Sequence, residues 1–369
     1  MRTINVAVHE SRDASYEVLV GRGALAQLPA LLTRRCPAVR YGVIADQRVA
    51  ELYGAALLGA LERGGLPAAQ LFTFPAGEWN KSREEWARLT DQLLAARLGR
   101  DAAIVALGGG VAGDLAGFVA ATYLRGIPYV QVPTTLLAMI DSSIGGKTGV
   151  DVPGGKNLVG AFHQPRFVLA DIDLLASLPR TQLASGMAEA IKHGAIADER
   201  YYASLADAAS VLARDLDQLE GVVTGSIAIK AAVVAADEKE AGQRQILNFG
   251  HTVGHAVESL SGFELLHGEA VAIGMAVEAR IAEAAGLATG GLARALVQML
   301  ERYALPTLLP DSLSSDALLD VMRSDKKVRA GRVRLAVPGA IGRMARGDDG
   351  AWTVEVEERV MRQALDSAR

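Results

Sequence analysis

The stretch Ala102-Ala-Ile-Val-Ala-Leu-Gly-Gly-Gly-Val-Ala-Gly-Asp114 decides how the first half of the chain folds. Its apolar run from Ala102 to Leu107 is too short for a buried helix and reads as a buried strand. Gly108-Gly-Gly-Val-Ala-Gly113 then satisfies G-x-G-x-x-G between that strand and a following helical pattern. Glycines in this place let backbone approach a pyrophosphate, and the helix N-terminus supplies amide donors; a tight structural turn is the bland alternative. The standard fingerprint adds a ribose-binding acid about 20 residues downstream. No acid stands there at the end of a clear strand, whereas Asp46 ends the run Tyr41-Gly-Val-Ile-Ala-Asp46 well upstream. The sequence thus predicts a dinucleotide crevice with a strand order other than the standard one.

The flanking segments repeat the strand-then-helix texture. Tyr41–Asp46 is followed by helical spacing through Gln47–Leu61, Leu71–Phe74 by Trp86–Leu98, and Tyr129–Val132 is stopped by Pro133. Such alternation predicts a parallel sheet covered by helices. From Pro179 the pattern becomes helical: Gln182–Ala197, Tyr201–Ala213, Leu219–Ala236, Thr252–Leu260, Glu269–Ala285 and Leu292–Tyr303, with Val333–Val337 as a hairpin or edge strand. The expected fold is an α/β N-terminal Rossmann-like domain over 1–178 and a mostly α-helical C-terminal domain over 179–369. Glycine-rich Asp141–Pro165 reads as a long irregular connection, a common place for function.

Composition bounds the partners. At 369 residues the chain exceeds one ordinary core, and 38 basic against 42 acidic residues leave a net charge of −4, with no general attraction for nucleic acid or anionic membrane. The single cysteine, Cys36, excludes an internal disulfide and reads as a small buried residue. The first ten residues lack the apolar core of a signal peptide, and the apolar stretches Ala102–Gly113 and Gly126–Ile140 fall short of the ~18 residues a membrane span needs. A cytoplasmic protein is expected.

Two further segments carry chemistry. In Asp141-Ser-Ser-Ile-Gly-Gly-Lys-Thr-Gly-Val-Asp151 and Gly154-Gly-Lys-Asn157, single lysines sit between glycine turns. The first is not a phosphate loop, because Asp141 stands where the leading glycine belongs, yet a lysine among glycines suits point-charge binding of an anion. Three of the six histidines crowd into Leu247-Asn-Phe-Gly-His-Thr-Val-Gly-His255 and Leu265-Leu-His-Gly-Glu269. His251 and His255, four apart on one helical face, could chelate a divalent cation, and the absence of glutamate after His251 argues against a zinc protease. Glu189 and Lys192 share a face of an apolar helix, where a buried acid asks for a partner such as a metal. Arg125, Lys230, Arg244 and Lys326-Lys327 punctuate apolar segments and could complete a pocket for a doubly anionic small molecule.

These pieces together resemble the 3-dehydroquinate synthase family of sugar-phosphate cyclases, over roughly Tyr41 to Pro338. The resemblance is carried by Gly108–Asp114, Pro133-Thr-Thr-Leu-Leu-Ala-Met-Ile-Asp-Ser-Ser-Ile-Gly-Gly-Lys-Thr148, Gly186-Met-Ala-Glu-Ala-Ile-Lys192, Leu247–His251 with His255, and Leu266-His-Gly-Glu-Ala270. It implies an N-terminal NAD-binding domain, a helical metal- and substrate-binding domain, a cleft between them and a homodimer. Carried over position by position, it implies Glu189, His251 and His267 as ligands of zinc or cobalt, leaving His255 to the substrate. It implies NAD contacts at Asp46, Gly77, Glu78, Lys81, Gly110, Val111, Ala112, Gly113, Asp114, Thr134, Thr135, Lys147, Lys156 and Ser177. Ser177 and Gln182 stand where many relatives carry threonine and glutamate. The implied substrate set is Arg125, Asp141, Lys147, Asn157, Lys192, Lys230, Arg244, Asn248, His255 and Lys327, with Lys326 as the rival to Lys327.

The reaction the resemblance implies converts 3-deoxy-D-arabino-heptulosonate 7-phosphate into 3-dehydroquinate and phosphate, the second step of the shikimate route. It proceeds by transient oxidation, phosphate elimination, re-reduction and intramolecular aldol closure, so NAD is regenerated in place. The substrate phosphate is expected to take the C6 proton. The alternatives are another sugar-phosphate cyclase, such as 2-deoxy-scyllo-inosose synthase, and a metal-dependent NAD polyol dehydrogenase.

Overall fold

The apolar runs read as strands all become strands in the computed structural model, which describes residues 13–262, 264–324 and 333–369. Four of them join two strands that the sequence did not show in one six-stranded sheet of β1 Glu17–Gly21, β2 Tyr41–Asp46, β3 Ala69–Phe74, β4 Ala103–Gly108, β5 Tyr129–Pro133 and β8 Phe167–Asp171. Its order is β3-β2-β4-β5-β8-β1, with every neighbouring pair parallel. β4, β5 and β8 are buried along their whole length, as strands covered on both faces are, so their residues do not alternate. Helices α1 Leu28–Arg35, α4 Arg83–Ala95 and α5 Gly110–Thr122 connect them, as does α2 Gln47–Val49, which passes through a π-helical turn at Ala50–Gly54 into α3 Ala55–Arg63.

The chain leaves β2 for β3 on one side, and β4 lies on the other side of β2. Such a reversal opens a crevice beyond the carboxyl ends of the two central strands. Asp46 ends β2 and Gly108 ends β4, so the acid found upstream and the glycine turn meet at one crevice.

The segment Asp141–Pro165 corrects the expectation of an irregular connection. A π-helical turn at Ala138–Ser142 leads into an antiparallel hairpin of β6 Lys147–Val152 and β7 Gly155–Phe162, with β6 packed on α5. Its glycines serve close approach: a Cβ on Gly160 would stand 2.1 Å from the carbonyl oxygen of Thr148 on the facing strand.

The second half is helical, as expected. It holds α6 Arg180–Ala197, α7 Glu199–Ser204, α8 Ala208–Leu212, α9 Leu216–Ala236, α10 His251–Leu260, α11 His267–Ala284, α12 Leu292–Arg302, α13 Ser315–Ser324 and α14 Glu358–Asp366. The single helix expected over Tyr201–Ala213 is two, because Asp207 accepts from the Ser210 amide and starts a new one. Val333–Val337 yields only the two-residue strand β9 Arg334–Leu335, paired with β12 Val354–Glu355; β10 Pro338–Ala340 pairs with β11 Arg343–Met344. Lys326 and Lys327 lie outside the described residues.

α9 is long and apolar enough to cross a membrane by length and composition, which the stretches singled out in the sequence were not. Its buried residues Leu219, Val222, Val223, Ser226, Ile227, Lys230 and Val233 form the one-sided stripe of a helix packed on a core, here α6 and the π-helical turn. α11 is buried from Ala270 to Ala279, with Val271, Met275 and Ala279 in the cluster that reaches the sheet and Ile273, Val277 and Ile281 in the cluster of α13 and α14.

Candidate active site between the sheet and the helical half

At the sheet end of the cleft, Asp46 accepts a hydrogen bond from the Val49 amide at 3.0 Å, and a Cβ on Gly108 would lie 3.5 Å from its other carboxylate oxygen. Gly108, at φ 152°, also brings the first turn of α5 so close that its Cβ would meet that of Ala112 at 2.6 Å. No side chain caps α5, which leaves the amides of Gly110, Val111 and Ala112 open to an anion. Thr134 is fixed by its amide on the Gly108 carbonyl at 2.9 Å, and Thr135 caps the next turn through Ala138. Ser177, exposed after β8, shares a 2.5 Å hydrogen bond with Tyr53 at the same edge. This donor set, with an acid beside a glycine turn and an open helix start, fits a dinucleotide.

Gly77, Glu78 and Lys81 follow β3. The Lys81 ammonium is buried among three carboxylates, Glu78 at 2.8 Å, Asp114 at 3.4 Å and Asp151 at 3.8 Å. Burial pushes the Asp114 carboxyl up to about 6, with Lys81 opposing it, and the carboxylates lift Lys81 against its own burial. Asp151 also accepts from the Asn157 amide at 2.8 Å, which sets Asn157 at φ 53° on the exposed hairpin turn beside Lys156.

Of the cations scattered along the sequence, Lys230 and Arg244 come together in the cleft with Lys192. α6 carries Glu189 and Lys192, an ion pair with both side chains almost fully buried. α9 carries Lys230, whose ammonium donates to the Asp141 carbonyl at 2.6 Å and also meets its carboxylate. Arg244 is buried, donating to the Gly145 carbonyl at 3.3 Å while its Nε finds no partner. A Cβ on Gly145, at φ 97°, would sit 2.3 Å from that guanidinium. Burial pulls Lys230 down, Asp141 opposes this, and Lys192 and Arg244 add to it, so the three cations feel one another. Burial works against the Asp141 carboxylate, but Lys230 and His193 hold it well below the usual range. Lys147 pairs with Glu240, which also accepts from Asn248 at 2.6 Å.

Glu189, His251 and His267 place one ligand atom each within 4.8 Å of one another. Both histidine Nε2 atoms lie 3.6 Å from Glu189 Oε1, and neither oxygen of this fully buried carboxylate makes a hydrogen bond of sound geometry. Burial pushes Glu189 up, yet Lys192, His267 and His251 hold it far below the ordinary carboxylate range. His251 Nδ1 donates to the Phe249 carbonyl at 3.1 Å, which turns its Nε2 to Glu189; burial and Lys192 hold the imidazole well below its usual range against the pull of Glu189. Two imidazole nitrogens and a carboxylate whose Oε1 faces both of them fit a divalent cation of zinc type. The exposed His255 ring stands edge-on to His251, centroids 5.2 Å apart, with the His267 ring 6.4 Å away.

The structure also places residues that the sequence did not single out. Glu258, seven residues after His251 and so on the same face of α10, lies 3.8 Å from His267 Nδ1; helical spacing alone could have found it. Glu278, fully buried on α11, accepts from the amides of Gly250 and Val253 at 2.7 and 3.0 Å and so caps the start of α10. His193 is buried between the Ser226 hydroxyl at 2.6 Å and Asp141 at 3.6 Å, and nothing in the sequence marked it. Arg125 is not brought in: it follows α5, at the amino ends of the strands, away from the crevice, roughly 20 Å of helix from Gly110.

Residues 71–185 match the family described as 3-dehydroquinate synthase N-terminal, and residues 186–328 the one described as 3-dehydroquinate synthase C-terminal. The 3-dehydroquinate synthase of Symbiobacterium thermophilum is 50% identical over 363 residues, 98% of this chain and 99% of that one. Among solved structures, 2-epi-5-epi-valiolone synthase from Streptomyces hygroscopicus subsp. jinggangensis with NAD+ and Zn2+ bound matches at TM-score 0.88 and 30% identity, covering 98% and 99% of the two chains. A 2-deoxy-scyllo-inosose synthase complexed with carbaglucose-6-phosphate, NAD+ and Co2+ matches at TM-score 0.87 and 28% identity, covering 96% and 97%.

Proposed function

The chain belongs to the 3-dehydroquinate synthase family, and from that premise we propose how its own residues divide the work. The activity is that of a phosphate-eliminating lyase that closes a carbocycle, turning 3-deoxy-D-arabino-heptulosonate 7-phosphate into 3-dehydroquinate and phosphate. The relatives of that activity reach 50% identity, against 27–30% for the other cyclases, which ranks it above them. The cofactors are NAD+ and a divalent metal, zinc or cobalt.

The observation that carries the assignment is the buried Glu189 carboxylate, without a sound hydrogen bond, facing two imidazole nitrogens beside a cluster of buried cations. Glu189, His251 and His267 would hold the metal, which would supply acidification of a substrate hydroxyl, while NAD+ would supply a reversible acceptor for the hydride on the carbon that bears it. Asp46, Gly110–Asp114, Thr134 and Thr135 hold the nucleotide, with Gly77, Glu78, Lys81, Lys147, Lys156 and Ser177 along its path. Lys192, Lys230, Arg244, Asn248 and His255, with Lys147 and Asn157 from the hairpin, hold the phosphate and carboxylate of the substrate and fix them for reaction. Asp141 fixes Lys230. Glu189, Asp141, Glu240 and Glu258 each face a cation, Lys192, Lys230, Lys147 and Lys156 respectively, which supports the substrate phosphate as the base at C6.

The sheet's last strand ends at Asp171 and α6 begins at Arg180, which supports domains of 1–178 and 179–369. We assign the enzyme to the cytoplasm as a homodimer, in which Arg125, remote from its own cleft, serves the partner's. The test follows phosphate release with substoichiometric NAD+. Many turnovers per cofactor are expected; NADH accumulating in step with product would replace the cyclase by a dehydrogenase. For Arg125, an Arg125→Ala chain mixed with a His251→Ala chain should regain activity through hybrid dimers, and no recovery would place Arg125 elsewhere.

A further inference from the structure

The Glu258 carboxylate is nearly buried, at 4% exposure, and its two oxygens face opposite ways. Lys156 Nζ, from the hairpin, donates to Oε1 at 2.8 Å, while Oε2 lies 3.8 Å from Nδ1 of His267. Lys156 also stands 3.8 Å from Glu78, and Glu78 2.8 Å from Lys81 beneath the glycine turn. A chain of alternating charge therefore runs from the nucleotide side through the hairpin to the histidine whose other nitrogen faces Glu189. Lys81 and Glu258 are nearly buried, so the links they make are poorly screened, while the Lys156–Glu78 link is longer and partly exposed.

We propose that Glu258 is a positioning residue that orients the His267 ring for metal and anchors Lys156 of the hairpin, so that metal and nucleotide occupancy are coupled through one carboxylate. This rests on the metal and nucleotide assignments above. A carboxylate facing the distal nitrogen keeps the proton there and aims the other lone pair at the ligand position, the outer-shell role whose loss costs about 10–100-fold in metal affinity. Nucleotide that orders Glu78 and Lys156 fixes Glu258 as well, and by reciprocity bound metal must then tighten nucleotide by the same factor.

The test titrates Zn2+ against a competing chelator on the metal-stripped full chain, with and without saturating NAD+. In the parent protein NAD+ should lower the Zn2+ Kd at least fivefold. Glu258→Gln should weaken Zn2+ binding about 10-fold or more and bring the two Kd values within twofold of each other. Lys156→Met, which leaves the His267 contact in place, should keep the Kd without NAD+ within about threefold and lose the NAD+ effect at an NAD+ concentration shown by direct titration to saturate that variant; it also serves if Glu258→Gln does not fold. A parent protein without an NAD+ effect, or either variant retaining it, overturns the coupling. An unchanged Zn2+ Kd in Glu258→Gln overturns the orienting role. Zn2+ binding that His251→Ala leaves intact would instead overturn the metal site itself.

Discussion

Replacing Glu278 by glutamine isolates what holds the ligand histidine in place. The carboxylate is fully buried and accepts from two amides, Gly250 at 2.7 Å and Val253 at 3.0 Å, on either side of His251, the first residue of α10. Glutamine keeps the shape but offers one acceptor oxygen, and its amide nitrogen then confronts a backbone donor. Losing one charge-assisted bond costs about 1.5–3 kcal/mol, and losing the negative charge at a helix start adds up to ~2. The sum is about 3 kcal/mol, or roughly a 100-fold smaller ratio of folded to unfolded chain. Urea unfolding followed by circular dichroism should show a lower midpoint at unchanged slope, and Zn2+ affinity should fall as α10 frays at His251. A Glu278→Gln protein with the parent midpoint and parent Zn2+ affinity would refute the reasoning, because Gly250 and Val253 would then need no buried acceptor.

Three other outcomes are expected. His251→Ala should lose bound metal by elemental analysis, and an unchanged metal content would remove that ligand. Arg244→Gln and Lys147→Gln should each lower kcat/KM by about 10²–10³-fold, as the loss of a fixed charge donor does; near-normal kinetics in both would dismantle the anion clamp. Asp114, raised to about 6 by burial against Lys81's pull, binds more protons folded than unfolded between its ordinary value of 3.8 and 6, so its charge costs stability as pH rises through that window. Asp114→Asn should therefore gain on the parent in unfolding free energy from pH 4 to pH 6; a constant difference across that range contradicts the shift.

The sequence carried four of the sheet's six strands because they rest on local pattern, whereas the choice of Glu189, His251 and His267 came from the resemblance, spacing alone having offered His251 with His255. Ala103–Gly108 is buried along its whole length and showed itself as an apolar run; His251 and His255 showed themselves by helical spacing. The hairpin did not, because Gly149 and Gly160 face each other so closely that side chains are excluded, and β7 exposes Leu158 and Phe162. Strand alternation was erased by the packing that makes the strand. β1 and β8 escaped notice since their pairing joins residues about 150 apart, such as Leu19 with Leu169, and no window spans that distance. Glu240 sits in Asp237-Glu-Lys-Glu240, which reads as a solvated turn, and only the fold brings it to Lys147 and Asn248.

α11 offers no side to water through most of its length, wedged between two apolar clusters, and a Cβ on its Gly274 would stand 1.9 Å from the Gly250 carbonyl. It is therefore the keel of the molecule. Drift has little room there and far more in the exposed turn of the hairpin at Pro153–Gly155, where a new side chain displaces mostly solvent.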